Sequence, residues 1–260
     1  MLNSYKDRQV LVTGASAGIG REMARQLAAQ GAHLILVARR RERLEELSRE
    51  CAKQGVRTLA LPLDLAAPNA AKQCMYAVRA AGWQVDVLIN NAGIGVGGPC
   101  WEIPMERVHQ LLQLNINALV ELTYYALPDM LQRGQGGILN VSSLAGEQAI
   151  PRLGIYAASK AFVTSFSESL RVECLGRGVH VSALCPGTTD TEFFEAAHLP
   201  AGRMRTASMQ AAAPVAAAGL RGLLRNQPVM LTSWKMRVAY LLSKFLPRRL
   251  VVRAAGWSVA

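Results

Sequence analysis

The sequence lacks a long uncharged apolar run, a cysteine pair and a cluster of metal ligands. Its 260 residues contain no apolar stretch of the roughly 18 residues that a transmembrane helix needs. Residues 1–10 lack the apolar core of a signal peptide, so we expect a cytoplasmic protein. The five cysteines form no C-x-x-C pair and the four histidines show no ligand spacing, which predicts neither disulfides nor a bound metal.

Acidic residues are also missing from the last quarter of the chain, beyond Glu195. Basic residues continue there and account for most of the net charge of +11. They are Arg203, Arg205, Arg221, Arg225, Lys235, Arg237, Lys244, Arg248, Arg249 and Arg253. The pattern fits either a solvated basic face or a peripheral contact with an acidic partner such as anionic lipid. Nucleic acid is not expected, because the chain has no aromatic-interleaved basic ridge and no helix-turn-helix or zinc-finger spacing.

Short apolar runs alternate with helical patterns from the first residues onward, which is typical of βαβ units around a parallel sheet. The runs are rich in valine, isoleucine and leucine, as expected for strands buried on both faces. They predict strands at Gln9–Thr13, His33–Ala38, Thr58–Leu61, Val85–Asn90, Gly137–Ser142, Val179–Cys185 and Val229–Leu231.

Helical periodicity fills the intervals between these runs. Apolar residues recur every four positions from Ile19 to Leu27, and longer helices are predicted at Arg40–Gln54, Pro104–Arg133 and Gly154–Arg177. Right-handed crossovers would then give an α/β fold of the Rossmann type, a doubly wound parallel sheet of about seven strands in three layers.

The last segment, Ser233–Val259, has a helical pattern that is interrupted near Pro247. Basic residues flank an apolar face formed by Met236, Tyr240, Leu241 and Phe245. Such a segment can lie in the headgroup plane of an anionic membrane, or it can pack on the sheet edge or a subunit interface. We expect a catalytic domain over residues 1–232 and a basic helical extension over residues 233–260, packed on that domain or on a membrane surface.

A glycine-rich turn follows the first predicted strand and opens a helix. It reads Thr13-Gly14-Ala15-Ser16-Ala17-Gly18-Ile19-Gly20. In this context backbone N–H groups and the helix dipole can face a pyrophosphate, which predicts a dinucleotide site. Gly14 permits the turn, Gly18 lets the backbone approach the phosphates, and Gly20 lets the helix pack on the strand. An ordinary loop with packing glycines is the alternative.

The end of the second predicted strand indicates which dinucleotide binds. A carboxylate there would accept a hydrogen bond from the ribose 2′-hydroxyl of NAD, whereas arginine accommodates the 2′-phosphate of NADP. The sequence reads Ala38-Arg39-Arg40-Arg41, without an acid, and Arg39 can offer a planar fork to the phosphate. We therefore expect NADP(H) in preference to NAD(H). The alternative is that the arginines only decorate the exposed start of a helix.

Tyr156 and Lys160 lie four residues apart in a predicted helix, so the phenol and the ammonium share one face. A free phenol has a pKa of about 10, and a neighbouring ammonium favours the phenolate, which suits tyrosine to general acid/base catalysis. The ammonium can also hold the ribose hydroxyls of a cofactor. In isolation, the two residues would be explained as an ordinary surface pair.

Four motifs in order make the chain similar to the short-chain dehydrogenase/reductase superfamily over nearly its whole length. They are T-G-x-x-x-G-I-G at Thr13–Gly20, N-N-A-G at Asn90–Gly93, Y-x-x-x-K at Tyr156–Lys160 with Ser143 thirteen residues upstream, and P-G-x-x-x-T at Pro186–Thr191. The resemblance implies a homo-oligomeric NADP(H)-dependent oxidoreductase that transfers hydride between nicotinamide and a carbonyl or secondary alcohol.

The resemblance also implies a role for each matched residue. Tyr156 would protonate the carbonyl oxygen during reduction, and Lys160 would support it electrostatically. Ser143 would orient and polarise that oxygen, with Ser142 as a neighbouring competitor that the family spacing disfavours. Asn115 matches the asparagine that kinks a helix and holds a water of the proton relay.

Asn117 is a competitor for the role of Asn115, although the family spacing favours Asn115. Asp64 looks like the acid that binds the adenine amino group, while a helix N-cap would explain it equally well. Ala17 departs from the pattern, because many NADP-preferring members carry a basic residue there. The implied cofactor-binding set is Gly14, Ser16, Ala17, Gly18, Ile19, Gly20, Arg39, Arg40, Asp64, Leu65, Asn91, Ala92, Gly93, Tyr156, Lys160, Pro186, Gly187 and Thr191.

Residues 191–210 are where the family places a mobile lid over the substrate. Phe193, Phe194, Leu199 and Met204 would give the lid an apolar underside, unless they pack in the core. The apolar underside favours a ketoacyl, steroid-like or other lipophilic ketone. A catalytically idle NADP-binding regulator is the alternative function, but such a protein usually lacks part of the Asn, Ser, Tyr and Lys set that is complete here.

Overall fold

The computed structural model describes residues 2–193, 209–232, 238 and 245–259. Within them lies a seven-stranded parallel sheet with the order β3-β2-β1-β4-β5-β6-β7. Its strands are β1 Gln9–Thr13, β2 His33–Ala38, β3 Thr58–Pro62, β4 Val87–Asn90, β5 Gly136–Val141, β6 Val179–Cys185 and β7 Val229–Leu231. The Rossmann-type doubly wound sheet expected from the sequence is thereby confirmed.

Helices cover both faces of the sheet. They are α1 Gly18–Ala29, α2 Arg41–Ala52, α3 Ala70–Ala80, α4 Met105–Leu112, α5 Ala118–Gln132, α6 Gly154–Glu173, α7 Ala212–Leu224 and α8 Arg248–Val259. One core holds buried side chains of α1, α2 and α7, and the other holds those of α3, α5 and α6. The described chain therefore forms the three layers that were predicted.

Alternate residues of each strand supply the two cores. Val10 and Val12 of β1 belong to the core under α1, whereas Leu11 between them belongs to the core under α3. In β2, Leu36 and Val37 divide between the cores in the same way. Side chains of a strand alternate between faces, so a strand buried on both sides is expected to be mostly apolar. Burial on both faces explains the continuous apolar runs in the sequence.

Several element boundaries differ from those expected from the sequence. β4 begins at Val87 and not at Val85. Just before the strand, the carboxylate of Asp86 accepts a hydrogen bond of 2.9 Å from the N–H of Gln9. The helix expected up to Arg177 ends at Glu173, and left-handed glycines follow, including Gly176 with φ +74°. Helices commonly end at a glycine in this way, because glycine adopts a positive φ more readily than residues with a Cβ.

The helix expected over 104–133 is interrupted by a π-helical turn, Gln113–Asn117, which separates α4 from α5. An extra residue in one turn shifts the faces of the two halves relative to each other. Asn115 lies in this turn and is buried to 1% exposure. The chain therefore stays helical from α4 to α5, but its α-helical hydrogen bonding is interrupted at a predicted functional residue.

Part of the C-terminal segment packs on the sheet domain. Ala255 of α8 is buried against Ile150 and Leu153, and a methyl group at Gly256 would lie 3.3 Å from the Pro151 side chain. α8 begins directly after Pro247, where the sequence pattern is interrupted. Of the apolar face expected from the sequence, Phe245 is described, whereas Met236, Tyr240 and Leu241 lie outside the described part of the chain. Across the described ranges, no helix is both long and apolar enough to cross a bilayer.

Candidate active site

A cleft of about 580 Å³ opens along the carboxyl ends of β1 to β6. β1 pairs with β2 on one side and with β4 on the other, so the chain reverses its winding direction here. Such a switch point is where open α/β sheets bind ligands. The structure brings the cofactor-binding and catalytic residues expected from the sequence to this cleft, except Gly20 and Asn115, which lie behind its wall.

The turn after β1 requires glycine for conformational reasons. Gly14 has φ +65° and Gly18 has φ +53°, a region that residues with a Cβ rarely adopt. A methyl group at Gly20 would lie 2.6 Å from the carbonyl oxygen of Gly14, so α1 approaches the turn closely. Ala17 precedes α1 and provides no side-chain cap. The N–H groups at the start of α1 are therefore left for an anion.

Thr13 joins the loop after β1 to the loop after β4. Its hydroxyl oxygen accepts hydrogen bonds of 2.9 Å from the N–H groups of both Asn91 and Ala92. The side-chain amide of Asn91 donates a hydrogen bond of 2.9 Å to the carbonyl oxygen of Thr13. These bonds fix Asn91 and Ala92 beside the glycine turn, on the floor of the cleft.

Tyr156 and Lys160 lie on the first turns of α6, and Ser143 begins the 3₁₀ turn Leu144–Glu147 that follows β5. The Lys160 Nζ atom is 5.9 Å from the centre of the Tyr156 ring and donates a hydrogen bond of 2.8 Å to the Val141 carbonyl oxygen. Tyr156, Lys160 and Ser143 all line the cleft. The spacing seen in the sequence thus brings the three side chains together.

Asn115 connects the loop after β4 to the start of α6. Its amide oxygen accepts a hydrogen bond of 2.9 Å from the Ile94 N–H, and its amide nitrogen donates one of 3.1 Å to the Ser159 hydroxyl. The Ser159 hydroxyl in turn donates a hydrogen bond of 2.7 Å to the carbonyl oxygen of Tyr156. The Asn115 side chain therefore fixes the backbone that carries Tyr156.

The two competitors expected from the sequence have other surroundings. Ser142 is buried, and its hydroxyl donates a hydrogen bond of 2.7 Å to the Lys160 carbonyl oxygen. Asn117 is exposed, and its amide nitrogen donates a hydrogen bond of 2.8 Å to the Gln113 side chain. The geometry favours Ser143 and Asn115 as the site residues.

Burial dominates the electrostatics of the Tyr156–Lys160 pair. It raises the pKa of Tyr156 to about 12, although interaction with the Ser143 hydroxyl opposes the rise. It also lowers the pKa of Lys160 to about 8. The pKa of Tyr156 is therefore raised in the protein alone and not lowered as expected from the neighbouring ammonium, because burial disfavours the phenolate. At neutral pH, Tyr156 holds its proton and Lys160 is positively charged.

Arginines and an aspartate lie at another part of the cleft. Arg39 is exposed and lines it, while the Nη2 atom of Arg40 donates a hydrogen bond of 3.2 Å to the Ser16 hydroxyl. The Asp64 carboxylate accepts a hydrogen bond of 3.0 Å from the Ala66 N–H. Asp64 is not a helix N-cap, because α3 begins only at Ala70.

Apolar side chains form the wall near Tyr156. The ring centre of Phe193 lies 5.2 Å from that of Tyr156. Further lining residues are Ile94, Ala145, Ile150 and Leu153, with the polar Gln148 among them. Phe194, Leu199 and Met204, which were expected to contribute, lie outside the described residues.

The sequence patterns did not indicate three residues of this site. A methyl group at Gly146 would lie 2.6 Å from the carbonyl carbon of Lys160, so the turn that begins at Ser143 is seated directly on α6. Gln148 lines the apolar wall, and Glu192 binds Arg40 across the cleft. Glu192 follows the P-G-x-x-x-T motif, but no local pattern reveals a contact between residues so far apart in sequence.

The family model for short chain dehydrogenases matches residues 8–200, well over half of the chain. The chain belongs to the short-chain dehydrogenase family. It is accordingly an oxidoreductase that acts on CH–OH groups with a nicotinamide cofactor. No group of three or more potential metal ligands occurs in the part of this short-chain dehydrogenase that the structure describes.

Relatives extend the similarity. The short-chain dehydrogenase is 39% identical over 186 residues to sulfoacetaldehyde reductase 2 of Chromohalobacter salexigens, covering 71% of this chain and 73% of the relative. A solved short-chain dehydrogenase from Sphingobium yanoikuyae in complex with NADPH is 30% identical, with a TM-score of 0.83 over 94% of this chain and 95% of that one. A bulky-bulky ketone specific alcohol dehydrogenase from Comamonas testosteroni is 26% identical, with a TM-score of 0.78 over 92% of both chains.

The cleft of this short-chain dehydrogenase fits a nicotinamide dinucleotide. At Gly14 a methyl group would lie 2.8 Å from the Asn91 side chain, and at Gly18 it would lie 2.8 Å from the Thr191 methyl group, so both approaches depend on glycine. The uncapped start of α1 suits a pyrophosphate. Arg39 and Tyr156 both line this cleft, which therefore offers a cation and a proton donor to one extended ligand.

Proposed function

We propose that the enzyme uses NADP(H) to interconvert a hydrophobic ketone, such as a ketoacyl or steroid-like compound, with the corresponding secondary alcohol. One observation carries the proposal: a buried Tyr156, protonated at neutral pH, lies with Ser143 and Lys160 at an apolar wall of a cleft that also holds Arg39. The apolar wall supports the substrate class, and Arg39 supports the cofactor choice.

The proposed roles of the catalytic residues follow from their surroundings. When bound, the nicotinamide supplies a hydride to the carbonyl carbon or accepts one from the alcohol. Tyr156 donates its phenolic proton to the carbonyl oxygen during reduction and takes it back during oxidation. Ser143 donates a hydrogen bond to the same oxygen. The charge of Lys160 stabilises the phenolate left on Tyr156. Asn115 holds the backbone of the first turn of α6 in place and supports the proton relay.

The proposed cofactor contacts divide among the loops at the carboxyl ends of the strands. The turn from Gly14 to Gly20, with Ser16, Ala17, Gly18 and Ile19, would hold the pyrophosphate. Asp64 and Leu65 would contact the adenine, and Asn91, Ala92 and Gly93 would lie under the adenosine ribose. Pro186, Gly187 and Thr191 would hold the nicotinamide carboxamide, while Lys160 would bind the nicotinamide ribose.

NADP(H) is proposed over NAD(H) because the end of β2 carries Arg39 and Arg40 and no acid. The NADPH in the S. yanoikuyae structure supports the same choice by similarity. Both arginines line the cleft, where a 2′-phosphate would need a cation.

The relatives' names point to different substrates. The C. testosteroni dehydrogenase is described as specific for bulky ketones, whereas the C. salexigens relative is named for a small anionic aldehyde. An anionic substrate would need a cation beside Tyr156, and among the described lining residues near that tyrosine Lys160 is the cation. Because the proposal assigns Lys160 to Tyr156 and the ribose, the apolar wall favours the ketone.

An idle NADP-binding regulator is not favoured by the site. Tyr156, Lys160, Ser143 and Asn115 are all present and are held together by hydrogen bonds and close packing. A regulator would have no use for a buried phenol positioned at the wall of the cleft.

We also infer that the enzyme self-associates, and that residues 233–260 form an extension of a catalytic domain over residues 1–232. Exposed apolar side chains on the outer helices support self-association, since Tyr124 of α5 is 73% exposed and Val172 of α6 is 66% exposed. Sedimentation velocity of the full chain tests this inference, and a monomer at micromolar concentration would contradict it.

A substrate panel tests the proposed function. Purified enzyme is offered aliphatic, aromatic and polycyclic ketones, their alcohols and sulfoacetaldehyde, each with NADPH or NADH, and the nicotinamide absorbance is followed. We expect kcat/KM to rise with the apolar size of the ketone and to be higher with NADPH. Turnover restricted to sulfoacetaldehyde would contradict the substrate class, and equal rates with NADH would contradict the cofactor choice.

A further inference from the structure

Glu192 binds two arginines across the mouth of the cleft. Its Oε2 atom accepts a hydrogen bond of 2.6 Å from the Nη1 atom of Arg40, and its Oε1 atom accepts a short hydrogen bond from the Nη1 atom of Arg43. These two bonds hold the pKa of Glu192 below its usual range. A carboxylate from the segment after β6 is therefore held at the start of α2.

The surroundings of this carboxylate are those of an anion site. Arg40 also contacts the Ser16 hydroxyl, which is only 7% exposed and lines the cleft. The Ser16 oxygen accepts from Arg40, so its proton is available for an anion. Arg40 precedes α2 and provides no side-chain cap, which leaves the first N–H groups of this twelve-residue helix near the site. Glu192 supplies the negative charge that such a site favours.

We propose that Ser16, Arg40 and Arg43 form the binding site for the 2′-phosphate of NADP(H), and that Glu192 occupies it as an internal substitute that the cofactor displaces. The inference rests on the proposed dependence on NADP(H). It adds Arg43 to the residues that read the phosphate and makes Glu192 a residue that determines cofactor specificity.

The exchange is feasible because the competing contacts are unequal. The Arg40, Arg43 and Glu192 side chains are between 42% and 49% exposed, and ion pairs of this exposure contribute little to stability. A phosphate monoester carries a charge of about −1.5 to −2 and three acceptor oxygens, so it can replace one carboxylate on two arginines. The free energy gained from the phosphate contacts therefore exceeds the free energy lost when the two ion pairs of Glu192 break.

NADH has no group that makes the same exchange. Its 2′-hydroxyl is neutral and cannot replace a carboxylate on two guanidinium groups, but it can donate a hydrogen bond to Glu192 if the carboxylate stays in place. Glu192 thus opposes NADPH and tolerates NADH. Removing its charge alone should widen the preference for NADPH.

Cofactor titrations on the full-length protein test this inference without turnover. Dissociation constants for NADPH and NADH are measured by nicotinamide fluorescence for the wild type, Glu192→Gln, Arg43→Gln and the double variant. Glu46→Gln is the matched control, because Glu46 also lies on the surface and pairs with Arg21 at 3.2 Å, but it does not line the cleft. Competition by 2′-AMP against 5′-AMP reads the phosphate position directly.

We expect Glu192→Gln to bind NADPH roughly three- to tenfold more tightly and to change NADH binding less than about twofold, with Glu46→Gln unchanged. Arg43→Gln should weaken NADPH about tenfold, and the gain from Glu192→Gln should shrink in the double variant, since one of its ion pairs is already lost. Only 2′-AMP should respond to these changes.

Three outcomes would overturn the inference. In the first, Glu192→Gln leaves NADPH affinity unchanged or weaker while the wild type still reduces ketones, which spares the proposed function. In the second, the substitution changes NADPH and NADH equally. In the third, the protein binds neither cofactor, which would overturn the proposed function as well. A shifted cofactor ratio in a protein that reduces no ketone would support the 2′-phosphate site alone.

Discussion

The ammonium of Lys160 donates its hydrogen bond of 2.8 Å to the carbonyl oxygen of Val141, at the carboxyl end of β5. This bond gives the charge one buried neutral partner, and Lys160 is only 5% exposed. Burial therefore lowers the pKa of Lys160 to about 8. The protein thus keeps a buried charge beside Tyr156 that lowers its stability and serves its function.

Lys160→Met should make the cofactor-free protein more stable at pH 7. The wild type must bury a charged lysine below pH 8, and methionine removes that cost, partly offset because the Val141 carbonyl oxygen loses its donor. We expect the unfolding midpoint to rise on the order of a few °C. Thermal unfolding at pH 7 measures the change, with the exposed Lys53→Met as a control that should have no effect.

The gain from Lys160→Met should also depend on pH in one direction. The native pKa is about 8 and the ordinary value is 10.5, so between these values the unfolded wild type binds more protons than the native protein. Wild-type stability then rises with pH across this interval, and the advantage of the methionine variant shrinks. A constant advantage from pH 7 to pH 10 would show that the lysine is not desolvated.

Tyr156→Phe should reduce turnover by about a hundredfold or more, because general acid catalysis typically contributes 10²–10⁴-fold. The ring retains its packing against Phe193, so NADPH should still bind. Steady-state kinetics and nicotinamide fluorescence measure the two effects separately. Tyr76→Phe is the control, since this tyrosine is 76% exposed on α3 and lies away from the cleft. Retention of more than about a hundredth of the wild-type rate would contradict the role of Tyr156.

The motif residues could be located from the sequence because their spacing is set by local geometry. Tyr156 and Lys160 share a helix face, and the glycines of the first turn are required by its backbone conformation. The fold could be predicted for a similar reason, since strands buried on both faces are mostly continuous apolar runs. What the sequence did not reveal depends on contacts between distant segments. The pairing of Arg40 with Glu192 spans 152 positions.

Desolvation is equally invisible in a sequence. Spacing indicates that an ammonium lies near Tyr156, but the pKa depends on how completely both groups are buried, and this is decided by packing from several elements. The π-helical turn at Asn115 is a further example, because the surrounding sequence has ordinary helical periodicity.

Gly146→Ala should impair catalysis by displacing the turn that carries Ser143. The added methyl group would lie 2.6 Å from the carbonyl carbon of Lys160 and 2.7 Å from the Ala161 nitrogen, and backbone atoms cannot yield as a flexible side chain can. We expect kcat to fall roughly ten- to hundredfold and the free energy of unfolding to fall by about 1–3 kcal/mol.

Cofactor affinity distinguishes the expected effect of Gly146→Ala from general misfolding. Gly146 does not line the cleft, so NADPH should bind with less than a threefold change, roughly 0.7 kcal/mol. Gly154→Ala is a control, because a methyl group there meets nothing within 4 Å. Loss of NADPH binding together with turnover would mean that the substitution disturbs the whole site.

Arg39→Asp should weaken NADPH and improve NADH. A carboxylate at this position repels the 2′-phosphate and accepts a hydrogen bond from a 2′-hydroxyl, so we expect the ratio of the two affinities to shift roughly tenfold or more. Arg41→Asp is the control, since Arg41 is exposed, pairs with Glu45 at 3.7 Å and does not line the cleft. An unchanged ratio would leave Ser16, Arg40 and Arg43 as the complete phosphate site.

The outer side of α8 and the residues before it combine exposed apolar and basic side chains. Phe245 is 85% exposed and Leu250 is 55% exposed. The exposed basic residues beside them are Arg248, Arg249 and Arg253. The face of the same helix that carries Ala255, roughly opposite Leu250 and Arg253, packs on the domain. Packing and membrane contact, which the sequence presented as alternatives, can therefore coexist on this helix.

We predict that the full-length protein binds anionic vesicles through this outer side, with each arginine contributing on the order of 1 kcal/mol. Replacing Arg248, Arg249 and Arg253 together by glutamine should reduce binding to phosphatidylserine vesicles roughly ten- to hundredfold.

The control replaces three exposed basic residues elsewhere, Lys53, Lys72 and Arg177, which lowers the net charge equally. Truncation before α8 would be a poorer test, because it would expose Ile150 and Leu153 and disturb the wall of the cleft. Salt-sensitive cosedimentation that only the α8 variant loses supports the contact. Equal loss in both variants would reduce it to nonspecific charge attraction, and absence of binding by the wild type at low salt would leave packing as the sole role of this helix.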